Sequence, residues 1–269
     1  MTLPPLGDSL AKLHASTPLV HCITNYVAMN SSANVLLAAG ASPAMLHAQE
    51  EVAEFTQLAG ALSINIGTLS APWADAMLIA AKTANACSIP WILDPVAVGA
   101  TGYRQTVCTA LLNHQPSVIR ANASEILALN GLNHQGRGVD ATAATEDALA
   151  AAMALAEQYR CVVAMTGERD VITDGDKCYI INGGHPMMPR VTTLGCGLSA
   201  LVAAFVAATP NAPLDASSAA MACFALAGQR AGAITKGPGS FYVAFLDALY
   251  QLTPDELSQF AQREVSHAA

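Results

Sequence analysis

Short apolar runs alternate with helically spaced apolar positions along most of the chain. Residues 61–67 (ALSINIG) form an apolar run closed by a glycine, which predicts a strand and a tight exit. Residues 73–87 carry Ala, Met, Leu and Ile at helical spacing. The pattern then predicts a strand over 90–98 (PWILDPVAV), a helix over 103–114, a strand over 117–121 (SVIRA) and a short helix over 123–130. An alanine-rich helix over 143–159 precedes a strand over 161–166 (CVVAMT). A hairpin follows, with arms 170–173 and 177–182 joined through Asp174-Gly175-Asp176. Helices over 195–208, 212–233 and 240–252 complete the series, and 133–140 (NHQGRGVD) reads as an exposed loop. Near-continuous apolar strands alternating with helices indicate an α/β fold: a mostly parallel central sheet with helices on both faces, in three layers. No break in composition divides residues 1–269, so one domain is expected.

In such sheets, ligands bind at the carboxyl ends of the strands. Those ends carry Asn65 and Gly67, Asp94, Arg120 with Asn122 and Glu125, and Thr166 with Gly167. The run from Arg190 to Ala200 (RVTTLGCGLSA) then enters an apolar helix through a small polar turn. The first N–H groups of a helix lack intrahelical partners, and the dipole places roughly +0.5 charge there. The turn therefore reads as an anion cradle with Cys196 at its mouth. Two carboxylates, a guanidinium, a hydroxyl and this cradle suit a polyphosphate with Mg²⁺, held through Asp94 and Glu125, while Arg120 can clamp phosphate oxygens. Asp94 before Pro95 also fits a plain turn, and Glu125 a first-turn helix charge.

Composition removes several classes. Hydrophobic residues make up 53% and charged residues 12% of 269 residues, and mean hydropathy is +0.38. Such a chain can fill a large core and can bury surface between subunits. The apolar run 195–208 is shorter than the ~18 residues of a membrane span, and no basic-then-apolar leader opens the chain. Net charge is −8, with no basic patch, so neither nucleic acid nor membrane is expected as a partner. Seven cysteines without C-x-x-C fit a reducing cytoplasm. There is no G-x-x-x-x-G-K-[ST], no G-x-G-x-x-G after the first strand and no H-E-x-x-H.

Several longer motifs occur in order: PLVHCITN at 18–25, GASPAM at 40–45, INIGTL at 64–69, LDPVAVGA at 93–100, IRANASEI at 119–126, TGE at 166–168 and GPGSF at 237–241. On these motifs the chain resembles the hydroxyethylthiazole kinases of the ribokinase-like superfamily over nearly its whole length. The resemblance implies a ribokinase-like fold. It also implies transfer of the ATP γ-phosphate to the primary alcohol of 4-methyl-5-(2-hydroxyethyl)thiazole, with Mg²⁺, in a homotrimer whose sites lie between subunits. Thiazole-side positions then fall on Asn25, Met45 and Gly67, with Met45 reaching the thiazole of a neighbouring subunit. Nucleotide-side positions fall on Arg120 and Thr166, with Asn122 and Gly167 beside them. Metal and phosphate acids fall on Asp94 and Glu125, the cradle on Thr193 to Gly195, and the base or orienting group on Cys196. The family turn usually reads Gly-x-Gly-Cys, whereas here Thr193 replaces the first Gly. If that position needs positive φ, Thr is a poor substitute. Three other readings share these residues: a pyrimidine- or pyridoxal-type kinase of the same superfamily, a cysteine hydrolase, which would need an absent G-x-C-x-G elbow, and a non-catalytic sensor.

Overall fold

The computed structural model describes residues 6–133, 144–260 and 263–267. Among them lie nine strands: β1 (Leu19–Ile23), β2 (Ser42–Ala44), β3 (Ala61–Asn65), β4 (Trp91–Asp94), β5 (Val118–Asn122), β6 (Val162–Thr166), β7 (Asp170–Thr173), β8 (Lys177–Ile181) and β9 (Arg263–His267). They form one sheet in the order β2-β1-β3-β4-β5-β6-β7-β8-β9. From β2 to β6 every pairing is parallel, and from β6 to β9 every pairing is antiparallel. The β7–β8 hairpin turns where expected, with Gly175 at φ +95° and Asp174 Oδ1 accepting from the N–H groups of Asp176 and Lys177.

Side chains alternate between the two faces of a strand, and here they sort into two cores. Ile92, Val118, Val162 and Ala164 face one cluster, with α1 (Leu6–Ser16), α2 (Met29–Ala39), α8 (Leu194–Ala208), α9 (Pro213–Ile234), α10 (Pro238–Gln251) and α11 (Pro254–Phe260). Leu62, Leu93, Ile119 and Val163 face the other, with α3 (Val52–Leu58), α4 (Ala71–Ala86), α5 (Gly102–Leu112), α6 (Ala123–Asn133) and α7 (Ala144–Tyr159). Helices on both faces of a mostly parallel sheet give the three-layer α/β sandwich expected from the sequence. Counting by twos from Ala61, Ile92, Val118 and Val162 puts Asn65, Asp94, Arg120 and Thr166 on the α8 face. Asn65, Asp94 and Thr166 close their strands, and Arg120 stands two residues before the end of β5.

Two expectations need correction. The strand expected over 90–98 stops at Asp94. Pro95 has no N–H for a ladder, and the chain turns, with Val98 N donating to Pro95 O and Ala97 at φ +53°. The short helix after β5 runs on to Asn133, while residues 134–140 of the expected loop lie outside those described. The first 60 residues, before the series of elements predicted from the sequence, hold α1, β1, α2, β2 and α3.

Candidate active site

The cluster centres on Asp94, which is fully buried. Three donors converge on its Oδ2: Asn65 Nδ2 at 2.7 Å, Ser199 Oγ at 2.7 Å and Arg120 Nη2 at 2.9 Å. Its Oδ1 is buried and accepts no hydrogen bond from the described residues. A buried carboxylate oxygen without a partner costs roughly 1–3 kcal/mol or more, so a ligand or water is called for there.

Arg120 spans the cluster. Its Nε donates to Ser199 Oγ at 2.8 Å, and its Nη1 points to Thr166 Oγ1 at 3.5 Å. Burial opposes the guanidinium charge, but Asp94 and then Glu125 outweigh it, and its pKa rises above the usual arginine range. A Cβ at Gly195 would lie 3.3 Å from both terminal nitrogens of Arg120. Glycine there lets the entrance of α8 rest directly on the guanidinium.

That entrance has the geometry expected of a cradle. The first ladder bond of α8 runs from Gly197 N to Thr193 O at 2.9 Å, so the N–H groups of Leu194, Gly195 and Cys196 precede the ladder. Thr193 caps the helix at φ +69°, a conformation that costs an L-residue roughly 1–2 kcal/mol. Its hydroxyl bonds to Ser31 Oγ of α2 and to its own neighbour's carbonyl, Thr192 O. The positive φ suspected from the sequence is therefore real, and Ser31 steadies the residue that adopts it.

Cys196 lies at the mouth, half-buried. Asn25 Nδ2 donates both to its Sγ at 3.3 Å and to Asn65 Oδ1 at 2.8 Å. Asn25, Asn65 and Asp94 thus form a chain of amides from the thiol to the carboxylate. Burial raises the thiol pKa, Asp94 adds to the rise, and the bond from Asn25 only partly opposes it. At neutral pH Cys196 is a thiol. A Cβ at Gly67 would lie 2.6–2.8 Å from Asn25 side-chain atoms, so the absence of a side chain at Gly67 is what lets Asn25 sit here. Met45, half-buried, lies one residue past β2 on the same edge of the sheet.

Glu125 is engaged differently from Asp94. Its Oε2 accepts from Asn122 N and its Oε1 from Ala97 N, both at 2.9 Å, while Asn122 Oδ1 accepts from Glu125 N. This is a reciprocal cap on α6 that also ties down the turn after β4. Burial raises its pKa against those two backbone bonds. Gly167 N donates to Asp170 Oδ1 at 3.1 Å, and Thr166 Oγ1 donates to Ala121 O at 3.3 Å.

Two contributors escape sequence reasoning. Ser199 reads as a mere interruption of an apolar helix. Arg104, in α5, donates through Nη1 to Val96 O at 2.9 Å and to Ile66 O, and through Nη2 to Gly67 O. It pins the turns after β3 and β4, and among the described residues it has no carboxylate partner. A separate cavity of about 580 Å³ opens at the opposite edge of the sheet, between Pro90, Ser117, Glu157 and Arg160, and none of the cluster lines it. Among the described residues, no group of three or more His, Cys, Asp or Glu could hold a metal, and no helix is long and apolar enough to cross a membrane.

Residues 10–255 match the hydroxyethylthiazole kinase family. The chain is 55% identical to hydroxyethylthiazole kinase of Rhizobium rhizogenes, covering 91% of this chain and 92% of that protein. It is also 55% identical to hydroxyethylthiazole kinase of Gemmatimonas aurantiaca, covering 94% and 90%. The structure of hydroxyethylthiazole kinase from Pyrococcus horikoshii superposes with a TM-score of 0.89 at 38% identity, over 98% of this chain and 99% of that one. A ribokinase-like protein from Enterococcus faecalis, 15% identical, superposes at 0.64 over 95% of each chain and shares the fold. By sequence, by fold and by the extent of both matches, this chain belongs to the hydroxyethylthiazole kinase family.

Proposed function

We propose that this protein transfers the γ-phosphoryl group of ATP to the primary alcohol of 4-methyl-5-(2-hydroxyethyl)thiazole, a salvage step toward thiamine. The observation that carries the reading is the unpartnered Oδ1 of Asp94, set beside one buried guanidinium and the open N–H groups of α8. Phosphoryl transfer passes through a loose transition state, so positioning and charge neutralisation dominate. The N–H groups of Leu194, Gly195 and Cys196 receive the transferring phosphate, and Arg120 neutralises it from below. Cys196 and Asn25 orient the substrate hydroxyl. A thiol held protonated supplies orientation first, and accepts a proton only in its ionised fraction. Gly67 and Met45 bound the thiazole, and Asn122, Thr166 and Gly167 the nucleotide.

The residues fit a divalent cation of the Mg²⁺ type, which binds through one or two carboxylates plus phosphates and keeps several waters. Asp94 Oδ1 would hold it directly, and Glu125, spent on backbone at both oxygens, through water. When bound, such a cation neutralises phosphate charge and orients the leaving group.

The catalytic unit spans the whole chain, works in the cytoplasm and assembles as a homotrimer with sites between subunits. Tyr26 and Val27, directly after Asn25, are 64% and 60% exposed, and apolar surface beside a site favours a subunit contact. ADP release measured over a panel of vitamin-precursor alcohols tests the substrate. The thiazole alcohol should turn over fastest, and equal turnover of pyridoxal or hydroxymethylpyrimidine would contradict the assignment.

A further inference from the structure

We propose that Ser199 is a positioning residue for phosphoryl transfer: its hydroxyl locks Arg120 and Asp94 together so that only Asp94 Oδ1 faces the ligand. The inference rests on the reading of Asp94 and Arg120 given above and adds a residue to it.

The geometry leaves the hydroxyl little choice. Ser199 is fully buried, four residues beyond Gly195, and therefore on the same face of α8 one turn deeper. Its single proton goes to Asp94 Oδ2 at 2.7 Å, since the other acceptor in reach, Gly195 O one turn back on α8, is 3.4 Å away. Its lone pair then receives Arg120 Nε at 2.8 Å, because a guanidinium can only donate. Arg120 Nη2 closes the ring on the same Asp94 oxygen at 2.9 Å. With Asn65 Nδ2 also on that oxygen, Oδ2 has three donors and Oδ1 none. The ring fixes the carboxylate plane and the guanidinium plane together. Without the hydroxyl, Arg120 Nε loses its acceptor and Asp94 Oδ2 keeps two of its three donors, so the two planes are held together less firmly. Ser199, fully buried, is placed in this reading behind Asp94 and Arg120 and not against the ligands. It acts through its two partners, and it couples them to α8, whose entrance holds the phosphate.

The test compares Ser199→Ala with Ser199→Cys, which keeps the branch-free shape at a slightly larger volume and retains a weak donor. The buried Ser218→Ala serves as control, since Ser218 Oγ only returns to Leu214 O within α9. Steady-state rates are taken separately against ATP and against the thiazole alcohol. Ser199→Ala should lower kcat/KM for ATP about 10–100-fold, the weight of hydrogen bonds to charged groups, while the KM for the thiazole alcohol stays within about twofold. Ser199→Cys should recover part of the loss, and Ser218→Ala should match wild type in every rate. Calorimetric titration with the β,γ-methylene analogue of ATP reads the same cluster without turnover, and should weaken at least about fivefold in Ser199→Ala. Wild-type ATP kinetics and analogue affinity in Ser199→Ala, or equal changes in both KM values, would overturn the role. If Ser199→Ala does not fold, Ser199→Cys decides by the same two measurements. A wild-type chain that binds the analogue but does not phosphorylate the alcohol would remove the substrate assignment, while the titration would still decide on Ser199.

Discussion

Replacing Asp94 with Asn isolates the buried charge pair on which the site is built. The side chain keeps its shape and loses its charge. Asp94 is fully buried and Arg120 only 6% exposed, with their charged atoms 2.9 Å apart. Removing one partner of such a pair leaves a buried charge uncompensated, which costs about 3–5 kcal/mol. At about 2–4 °C per kcal/mol for a chain of this size, the melting temperature should fall by roughly 6–20 °C. The lower end is expected, because Arg120 borders the open entrance of α8 and can draw on water there. Removing both charges, as Asp94→Asn with Arg120→Met, should cost clearly less than the sum of the single changes, with a coupling of at least about 1.5 kcal/mol. Urea unfolding followed by tryptophan fluorescence suits the measurement. Trp91 opens the strand that Asp94 closes, and both Trp91 and Trp73 are buried. Single changes that add within about 0.5 kcal/mol would refute the pair as one coupled unit.

Three further outcomes follow from neighbouring residues. Cys196→Ala should lower kcat about 10–100-fold with the ATP KM nearly unchanged, less than a full general base would contribute, and in mass-mapped alkylation at pH 7 the exposed Cys87 should react well before Cys196; a wild-type kcat would remove the thiol from the reaction. Gly67→Ala forces Asn25 away from Asn65 and Cys196, so the KM for the thiazole alcohol should rise about 3–10-fold, by the weight of one or two hydrogen bonds, with the ATP KM moving less; equal shifts would argue against a thiazole-side role. Burial pushes the Asp170 carboxyl up to about 6, so its share of stability is present at low pH and lost as pH rises through about 6. Burial pushes His21 down to about 4, so its share has the opposite slope. Asp170→Asn should therefore make melting temperature climb more steeply between pH 4 and 6 than in wild type, and parallel curves would contradict the Asp170 assignment.

The parts of this site that a one-dimensional reading reaches are those set by local rules. Asn65, Asp94, Arg120 and Thr166 are polar groups at or just before the end of apolar runs, and strand parity alone places them on one face. The turn before α8 is visible because glycine and cysteine stand at the mouth of an apolar helix. Ser199 is invisible for the converse reason. Its partners are 79 and 105 residues away, and within an alanine-rich helix a serine carries no local signal. Arg104 lies on a helix whose face toward the site is set only by packing. Glu125 was legible as an acid near the site, but only the fold shows both oxygens bound by backbone N–H groups. The end of β4 was overrun because Val96 and Val98 continue the apolar run past Pro95, where the turn, with Ala97 at φ +53°, takes over.

Product formation by the purified wild-type chain tests the central assignment most directly. Incubated with ATP, Mg²⁺ and 4-methyl-5-(2-hydroxyethyl)thiazole, it should release ADP in one-to-one proportion with thiazole monophosphate, identified by mass and by phosphorus NMR. With 4-methyl-5-ethylthiazole, which lacks the hydroxyl, ADP release should fall to the background of ATP alone. ADP release that ignores the hydroxyl, or no thiazole phosphate at all, would contradict the assignment of this strand-edge cluster to alcohol phosphorylation.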